Sequence, residues 1–473
     1  EIGVFVLAGR IRSRRYLIVA AWIVLPALFV VSQTIHAVAY ETNDIRVTGL
    51  TPQLPFYAPI TSHRRAVQYT DRLAIGEDKF QPRADGNYGT LNYPLSPIIC
   101  DGATDESRPN IVILFLESWR HDMMNDSVTP NINALAQKAT VCRNHLCSGN
   151  STVAGIFGFF YGLYPTYWPA VKAANAVIHN SVLMDVLADE NYTFGIYAKS
   201  NFERHKIKDA VFRDIPVHEN FAGATKVVQD ADMNDKLLSF LRERKKAGGS
   251  FAAFAFYKAN HAPYAYPIAD TVFRPAADQN LMEADDDTDP TEYLNDYRNS
   301  TRYVDRLVGN VLRELDSLGF MANTIVIVTT DHAEEFNDNR TGCWGHGSNY
   351  TRFQTHVPLV FYAPGKAPRQ IESATSHIDI VPTLLDEFFG CHNPVGDYSN
   401  GRNLFKGSGE KRPLVVGSYV NHAIIIDDNV YEINPYHVKE YKLDDIRENA
   451  LPPSPDMLIE IAEESGRFFG HQQ

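Results

Sequence analysis

The sequence is poor in cysteine and in positive charge, and each shortage excludes a class of protein. Five cysteines in 473 residues are too few for a disulfide-built scaffold, and their odd number leaves at least one thiol unpaired within the chain. Cys142 and Cys147 are spaced to close a small loop in an oxidising compartment, and two buried free thiols are an equally good interpretation. Lysine and arginine number 44 against 57 acidic residues, so the formal net charge is -13 and nucleic acid is not an expected partner.

Long apolar runs are also scarce, and the one that stands out extends from Tyr16 to Tyr40 without a charged residue. It exceeds the roughly 20 residues that a bilayer span requires, so residues 1–40 are predicted to hold a transmembrane helix. A buried core helix and, with weaker support, a secretory signal are the alternatives. The run follows a basic cluster, which predicts a cytoplasmic start and places the chain after residue 40 outside: Arg10, Arg12, Arg14 and Arg15. Because the first residue is Glu1, we expect a longer protein with further spans before this one.

The rest of the chain predicts a linker, an α/β domain and a small appendix. Residues 41–107 are rich in Pro, Tyr and Asn with little periodicity, which is typical of a juxtamembrane linker. Over 108–410, apolar runs alternate with helical spacing and predict a mostly parallel sheet flanked by helices. Residues 411–473 are expected to form a C-terminal antiparallel appendix of the same domain. The predicted strands are Asn110–Leu116, Thr193–Ala198, Phe251–Tyr257, Thr324–Thr329 and Pro358–Tyr362, the predicted helices Asn131–Thr140, Ala231–Lys246 and Tyr293–Leu318, and the predicted hairpin Ala423–Ile426 with Val430–Ile433.

Metal-ligating side chains follow two of the predicted strands. Glu117 comes directly after the first strand, and Asp331 and His332 follow Thr324–Thr329. Ligand sites of open α/β sheets lie beyond the carboxyl ends of strands, and these oxygen and nitrogen ligands suit a divalent zinc or manganese ion. Taken singly, Glu117 can cap a helix and His332 can be a hydrogen-bonded core residue.

A hydroxyl-rich segment, Ser148–Thr152, opens an apolar stretch of helical character. Backbone N–H groups and the helix dipole favour an anion at such a helix N-terminus, so a phosphate or sulfate ester fits there. Metal coordination would lower the pKa of the hydroxyl and make it a nucleophile. An ordinary Ser or Thr helix cap is the simpler interpretation of this segment by itself.

Together these motifs resemble the alkaline-phosphatase/sulfatase superfamily, in the branch that holds lipoteichoic acid synthases and phosphoethanolamine transferases. Within it the chain is most similar to the YejM/PbgA group of inner-membrane proteins of Gram-negative bacteria. The similarity covers the end of the apolar run, the linker and nearly all of the outer domain. It is specific through the order and spacing of its motifs, which are Leu116–Arg120, Ser148–Thr152, Gly158–Gly162, Thr330–His332, Trp344–Gly347 and Asp397–Gly401.

The resemblance assigns roles to named residues. It implies that Glu117, Thr152, Asp331 and His332 bind one divalent metal, which can be zinc, manganese or magnesium, and that Thr152 is the catalytic nucleophile. His261 and His346 match histidines that hold substrate phosphate or a second ion. Two departures affect these assignments. The usual Asp-His-Gly-Glu has Ala333 in place of glycine, and the nucleophile segment differs from that of the transferases, so Ser151 or Asn150 remains an alternative to Thr152.

The resemblance also implies a function at the bacterial inner membrane, with the globular domain in the periplasm. We expect a metal-dependent hydrolase or phosphotransferase that acts on phosphate esters of lipid headgroups in envelope lipid and lipopolysaccharide homeostasis. Sulfate esters are less expected, because the Cys-x-Pro-Ser-Arg signature of sulfatases is missing. The alternative is a non-catalytic sensor that binds lipid A or cardiolipin and regulates lipopolysaccharide synthesis, with inner-membrane regulatory proteins as partners.

The linker holds a candidate lipid-binding segment. Phe56 and Tyr57 precede Arg64 and Arg65 shortly after the apolar run. Aromatic rings suit the headgroup layer of a membrane, and arginine pairs bidentately with phosphate. A plain surface loop is the alternative interpretation of this segment.

Overall fold

The protein is described from a computed structural model, which covers residues 15–41, 91–101, 108–173, 181–199, 202, 206–277, 284–407, 411–419, 421–434 and 437–469. The chain divides into two units, residues 1–87 and 88–473. The described part of the first unit is helix α1, Arg15–Glu41, which coincides with the predicted apolar run. Among the described residues, no helix meets the length and hydropathy criteria for a membrane span.

The second unit contains an eight-stranded sheet with strand order β10-β2-β9-β6-β1-β5-β3-β4. All neighbours pair in parallel except β9, which runs antiparallel to both β2 and β6. Its strands are β1 Asn110–Leu116, β2 Thr140–Leu146, β3 Thr193–Ala198, β4 Val217–His218, β5 Phe251–Tyr257, β6 Thr324–Thr329, β9 Leu359–Tyr362 and β10 Arg369–Ser376. A two-stranded ribbon pairs β7 Glu335–Phe336 with β8 Trp344–Gly345.

Helices cover both faces of this sheet, because its central strands are apolar on both sides. Along β1, Ile111, Ile113 and Phe115 belong to one core cluster, and Val112, Leu114 and Leu116 belong to the other. The first cluster packs on α3, α5 and α10, and the second on α2, α7 and α8. Within the described residues of the second unit, the α-helices are α2 Pro130–Ala136, α3 Thr152–Tyr161, α4 Trp168–Ala173, α5 Val182–Asp189, α6 Ile207–Val211, α7 Lys226–Ala247, α8 Thr291–Ser317, α9 Arg352–Thr355, α10 Ile380–Phe388 and α11 Pro455–Gly466.

The C-terminal appendix is a four-stranded antiparallel sheet followed by α11. Its strands are β11 Leu414–Gly417, β12 His422–Ile426, β13 Asn429–Asn434 and β14 His437–Lys442. The predicted hairpin is present as β12 and β13, and Asp427 in the connecting turn has a left-handed φ of 52°. A buried ion pair between Arg412 and Asp379 links the start of this segment to the turn after β10.

One expectation from the sequence needs correction: the helix predicted over Asn131–Thr140 ends at Ala136, and Thr140 begins strand β2. Of the two interpretations of Cys142 and Cys147, the structure has the buried free thiols, and Cys100 is disulfide-bonded to Cys391. This disulfide, together with an isolated bridge between Leu91 and Phe469, holds residues 91–101 to the rest of the second unit.

Candidate metal centre and nucleophile

Glu117 lies at the carboxyl end of β1, in the middle of the sheet. Its backbone N–H donates to the carbonyl of Tyr257 at 3.0 Å, and the side chain of Asn260 donates to its carbonyl. The side chain is 3% exposed, and among the described residues Oε2 has no hydrogen-bond partner. A buried carboxylate oxygen without a donor is costly, so this atom is suited to a cation.

Asp331 and His332 follow β6, the neighbour of β1. One Asp331 oxygen, Oδ1, accepts N–H groups from Ser118 at 3.1 Å and His332 at 3.0 Å, whereas Oδ2 is buried without a partner among the described residues. Nδ1 of His332 donates to the carbonyl of Ala333 at 2.9 Å, which leaves the lone pair on Nε2, also buried and unpartnered. Burial lowers the pKa of His332, against the opposing charge of Asp331, and keeps the imidazole in its neutral, ligating form.

The two unpartnered atoms are spaced like ligands of one ion. Oδ2 of Asp331 and Nε2 of His332 are 3.3 Å apart. Two ligands that each bind zinc at about 2.0–2.1 Å in tetrahedral geometry are separated by about 3.3 Å. Glu117 lies at the end of the neighbouring strand, directly before Ser118, whose N–H donates to Asp331. Two carboxylates and one imidazole at this edge of the sheet are a donor set that fits a divalent metal.

The hydroxyl segment leads into α3, which begins at Thr152 and packs on Asp331 through Gly155. Ser151 is the N-cap residue, is fully buried, and its Oγ has no partner among the described residues, whereas Thr152 is partly exposed. Asn150 is held by a 2.7 Å bond from its Nδ2 to the carbonyl of Asn349. Since a nucleophile must be reached by its substrate, these environments favour Thr152 over Ser151 and Asn150.

Gly155 explains how the first turn of α3 comes so close to the metal ligands. A Cβ built on Gly155 would lie 2.1 Å from the carbonyl oxygen of Asp331 and 2.9 Å from its Cα. Only a residue without a side chain allows this approach. The helix N-terminus is thereby packed directly on the backbone of Asp331.

A second acid–histidine pair lies beside the first. Nδ1 of His346 bonds to Oε2 of Glu334 at 2.7 Å, and the hydroxyl of Tyr264 donates to Oε1 at 2.8 Å. Burial opposes ionisation of Glu334, but His346 prevails and lowers the carboxyl pKa to about 2. Burial likewise opposes the charging of His346, and Glu334 overcomes it and raises the imidazole pKa. Ligand atoms of His332, Glu334 and His346 lie within 4.8 Å of one another, close enough to share an ion.

Two basic side chains lie close to the carboxylate of Glu117. Nζ of Lys258 lies 3.8 Å from Oε2 of Glu117, and Nε2 of His261 lies 3.7 Å from Oε1. Lys226, at the start of α7, approaches Nδ1 of His261 at 3.0 Å and donates to the carbonyl of Ala262 at 2.7 Å. Burial and the charge of Lys226 lower the pKa of His261 well below its usual value.

The structure brings most of the predicted site residues together. Glu117, Asp331 and His332 lie at neighbouring strand ends, and Thr152 begins the helix whose Gly155 packs on Asp331. The ring of His346 lies 4.0 Å from that of His332 and 5.5 Å from that of His261, measured between centroids. Sequence reasoning missed Glu334, Lys258 and Lys226. Glu334 stands two residues after His332 in a motif already singled out, whereas Lys226 is 35 residues from His261 and gives no local signal. The predicted lipid-binding residues fall outside the described part of the chain and stay predictions: Phe56, Tyr57, Arg64 and Arg65.

The part of the chain that carries these residues is similar to known proteins. The family model for sulfatases matches residues 109–390. This chain belongs to the sulfatase family. Proteins of this family and of the wider alkaline phosphatase superfamily are metal-dependent. The chain is also homologous to the inner membrane protein YejM of Salmonella typhimurium. The two are 22% identical over 450 residues, which cover 94% of this chain and 69% of YejM.

An uncharacterised protein of Haemophilus influenzae is 25% identical over 452 residues, again covering 94% of the chain and 69% of the relative. Among solved structures, an alkaline phosphatase superfamily protein from Vibrio parahaemolyticus has a TM-score of 0.55 at 20% identity, covering 83% of this chain and 94% of that one. The lipoteichoic acid synthase LtaP from Listeria monocytogenes has a TM-score of 0.54 at 15% identity, covering 77% and 90%. These likenesses establish the alkaline-phosphatase-like fold.

Proposed function

We propose that this protein is a metal-dependent phosphoester hydrolase or phosphotransferase with Thr152 as its nucleophile. One observation carries the proposal: Oδ2 of Asp331 and Nε2 of His332 are buried without hydrogen-bond partners among the described residues and lie 3.3 Å apart. Glu117, whose buried Oε2 also lacks a hydrogen bond there, lies at the end of the neighbouring strand. Buried polar atoms without hydrogen bonds are rare in folded proteins, so this group supports a bound cation.

The residues divide the reaction between them. A bound divalent ion supplies charge neutralisation and a lower pKa for the attacking hydroxyl. Oγ1 of Thr152 attacks phosphorus in line, the bond to the ester oxygen breaks, and the departing alcohol takes a proton. The phosphoryl group then passes from Thr152 to water in hydrolysis, or to an acceptor hydroxyl in transfer. In this proposal Lys258 and His261 hold phosphoryl oxygens, and His346, hydrogen-bonded to Glu334, exchanges the proton.

Phosphate esters are favoured over sulfate esters by the position of the nearest cysteine. Cys147 lies five residues before the helix start and is fully buried, with its thiol directed to the carbonyl of Gly149 at 3.0 Å. Burial raises the pKa of this thiol, so it is an unreactive side chain. A hydroxyl residue thus begins the helix where a modified cysteine would be needed for sulfatase chemistry.

We further propose that the substrate is the phosphorylated headgroup of an envelope lipid, with the domain in the periplasm at the inner membrane. The relative YejM is an inner membrane protein. LtaP, which shares the fold, is a lipoteichoic acid synthase. Lipid A or cardiolipin binding by the linker and contact with inner-membrane regulatory proteins remain part of this proposal.

The test combines metal content with turnover. The purified chain is analysed for zinc, manganese and magnesium, and assayed on a phosphomonoester, a phosphodiester and a sulfate ester with and without chelator. We expect stoichiometric metal and chelator-sensitive phosphoester turnover. Asp331→Asn should lose both, and Asp316→Asn, an exposed aspartate of α8, serves as the matched control. A chain that stays metal-free and inert in added zinc or manganese would refute the enzyme and favour a lipid-binding sensor.

A further inference from the structure

Two buried histidines outside the donor set are joined in a hydrogen-bonded relay. His145, on β2, and His377, in the turn after β10, are both fully buried. Nε2 of His145 lies 2.8 Å from Nδ1 of His377. The relay continues from Nδ1 of His145 to Oγ1 of Thr375 at 2.9 Å, and from Nε2 of His377 to the carbonyl oxygen of Thr330 at 2.7 Å.

The end of the relay fixes the direction of every bond in it. A carbonyl oxygen only accepts, so Nε2 of His377 carries the hydrogen that points at Thr330. Nδ1 of the neutral ring then accepts from Nε2–H of His145, whose Nδ1 accepts in turn from the hydroxyl of Thr375. Burial lowers the pKa of His145 well below its usual value and that of His377 to about 4, so both rings are neutral near pH 7.

His377 touches each element that delivers a group to the metal centre. Its bond to Thr330 holds the residue directly before Asp331 and His332. Its ring contacts Phe115 of β1, two residues before Glu117, with 6.2 Å between ring centroids. It also meets Phe159 of α3, the helix that begins with the nucleophile, edge-on at 5.7 Å. No ligand of the centre is itself in the relay, so its polarity requires another explanation than metal binding.

Two hydrogen-bonded histidines in the buried interior call for an explanation, because an apolar ring of similar size could fill the same space. The N–H of His377 fixes the orientation of the Thr330 carbonyl by hydrogen bonding to it. The peptide group that joins Thr330 to Asp331 is therefore fixed as well. Outer partners of this kind orient metal ligands, and their loss typically costs about 10–100-fold in metal affinity.

We propose that His377 is a positioning residue for the metal centre, held in its required tautomer by His145 and Thr375. The inference rests on the proposed metal site and adds to it the part of the fold that sets the ligand geometry. His377 acts through the Thr330 carbonyl and touches neither substrate nor ion.

The test measures metal affinity rather than turnover. His377→Phe keeps a ring against Phe115 and Phe159 but removes the donor, whereas His377→Gln keeps an N–H near the position of Nε2. In the purified full chain, zinc affinity is measured by competition with a chromophoric chelator, and cobalt binding by its visible absorption. We expect His377→Phe to bind zinc about 10–100-fold more weakly with an altered cobalt spectrum. His377→Gln should lie closer to the parent in both readouts.

Each outcome decides the proposal. Parent-like affinity in His377→Phe, or an equal loss in the Phe and Gln variants, overturns it while the metal site stands. A parent chain that binds no ion overturns the proposed function and this inference with it. If His377→Phe fails to fold in chelator by circular dichroism, Thr375→Val replaces it, with Thr324→Val at the far end of β6 as the matched control. Weaker zinc binding in Thr375→Val than in this control supports the relay, and equal binding overturns it.

Discussion

The contact between Gly155 and Asp331 makes a sharp prediction for Gly155→Ala. The added methyl would lie 2.1 Å from the Asp331 carbonyl oxygen and 2.7 Å from the carbonyl carbon. Non-bonded heavy atoms rest at about 3.5 Å, so α3 must retreat from Asp331 by more than ~1 Å. Backbone atoms on the opposing side cannot rotate away. Overpacking of this kind costs about 1–3 kcal/mol, which outweighs the gain of up to about 1 kcal/mol from replacing a helical glycine.

The same displacement separates Thr152 from the metal ligands. A shift of ~1 Å at a reacting group can cost about 100-fold in rate, so we expect loss of turnover to exceed what the stability change explains. Urea unfolding in chelator measures the change in the free energy of unfolding. The loss of catalytic rate is measured as kcat/KM under conditions in which both proteins are fully folded. Gly466→Ala is the matched control, because nothing lies within 4 Å of a Cβ at that helical glycine. Equal urea midpoints and equal turnover in Gly155→Ala and the parent would refute the packing argument.

Three further predictions test the nucleophile, a buried ion pair and a buried acid. Thr152→Ala should abolish phosphoester turnover without changing the urea midpoint, and Ser151→Ala should retain turnover; the reverse pattern would transfer the role to Ser151. Asp379→Asn should destabilise the second unit by about 3–5 kcal/mol in urea unfolding, because it leaves the Arg412 guanidinium buried and unpaired. Burial raises the pKa of Asp230 to about 7, so its protonated form is stabilised by folding and stability falls as pH rises from about 4 through 7. Asp230→Asn should therefore gain in melting temperature over the parent across that window, and a pH-independent difference would contradict this.

Strand prediction succeeded where the strands are buried on both faces. β1, β3, β5 and β6 have the bounds expected from their apolar runs, since a central parallel strand needs no polar face. β2 and β10 were not predicted, because each has exposed residues along its length. Arg143 and Asn144 are exposed on β2, and β10 alternates exposed and partly buried residues, so neither shows a continuous apolar run.

In the candidate site, too, some residues could be predicted from the sequence and others could not. Side chains directly after a strand, such as Glu117 and Asp331, could be predicted because position along the chain fixes their position at the sheet edge. Lys226 could not, because a helix start and a loop 35 residues later meet only through tertiary packing. The relay through His145 and His377 was beyond reach for the same reason, since two residues 232 positions apart share one bond.

Strand order explains why charge is distributed across the site as it is. β6, β1 and β5 are consecutive parallel neighbours, so their carboxyl ends meet at one edge. β6 delivers Asp331 and His332, β1 delivers Glu117, and the chain after β5 delivers Lys258 and His261. Negative ligands therefore occupy the β6–β1 side and basic groups the β5 side, with Glu117 between them. An ion held between β6 and β1 would leave the phosphate of an ester to bridge toward β5, which predicts that Lys258 contributes to substrate affinity and Asp331 to metal affinity.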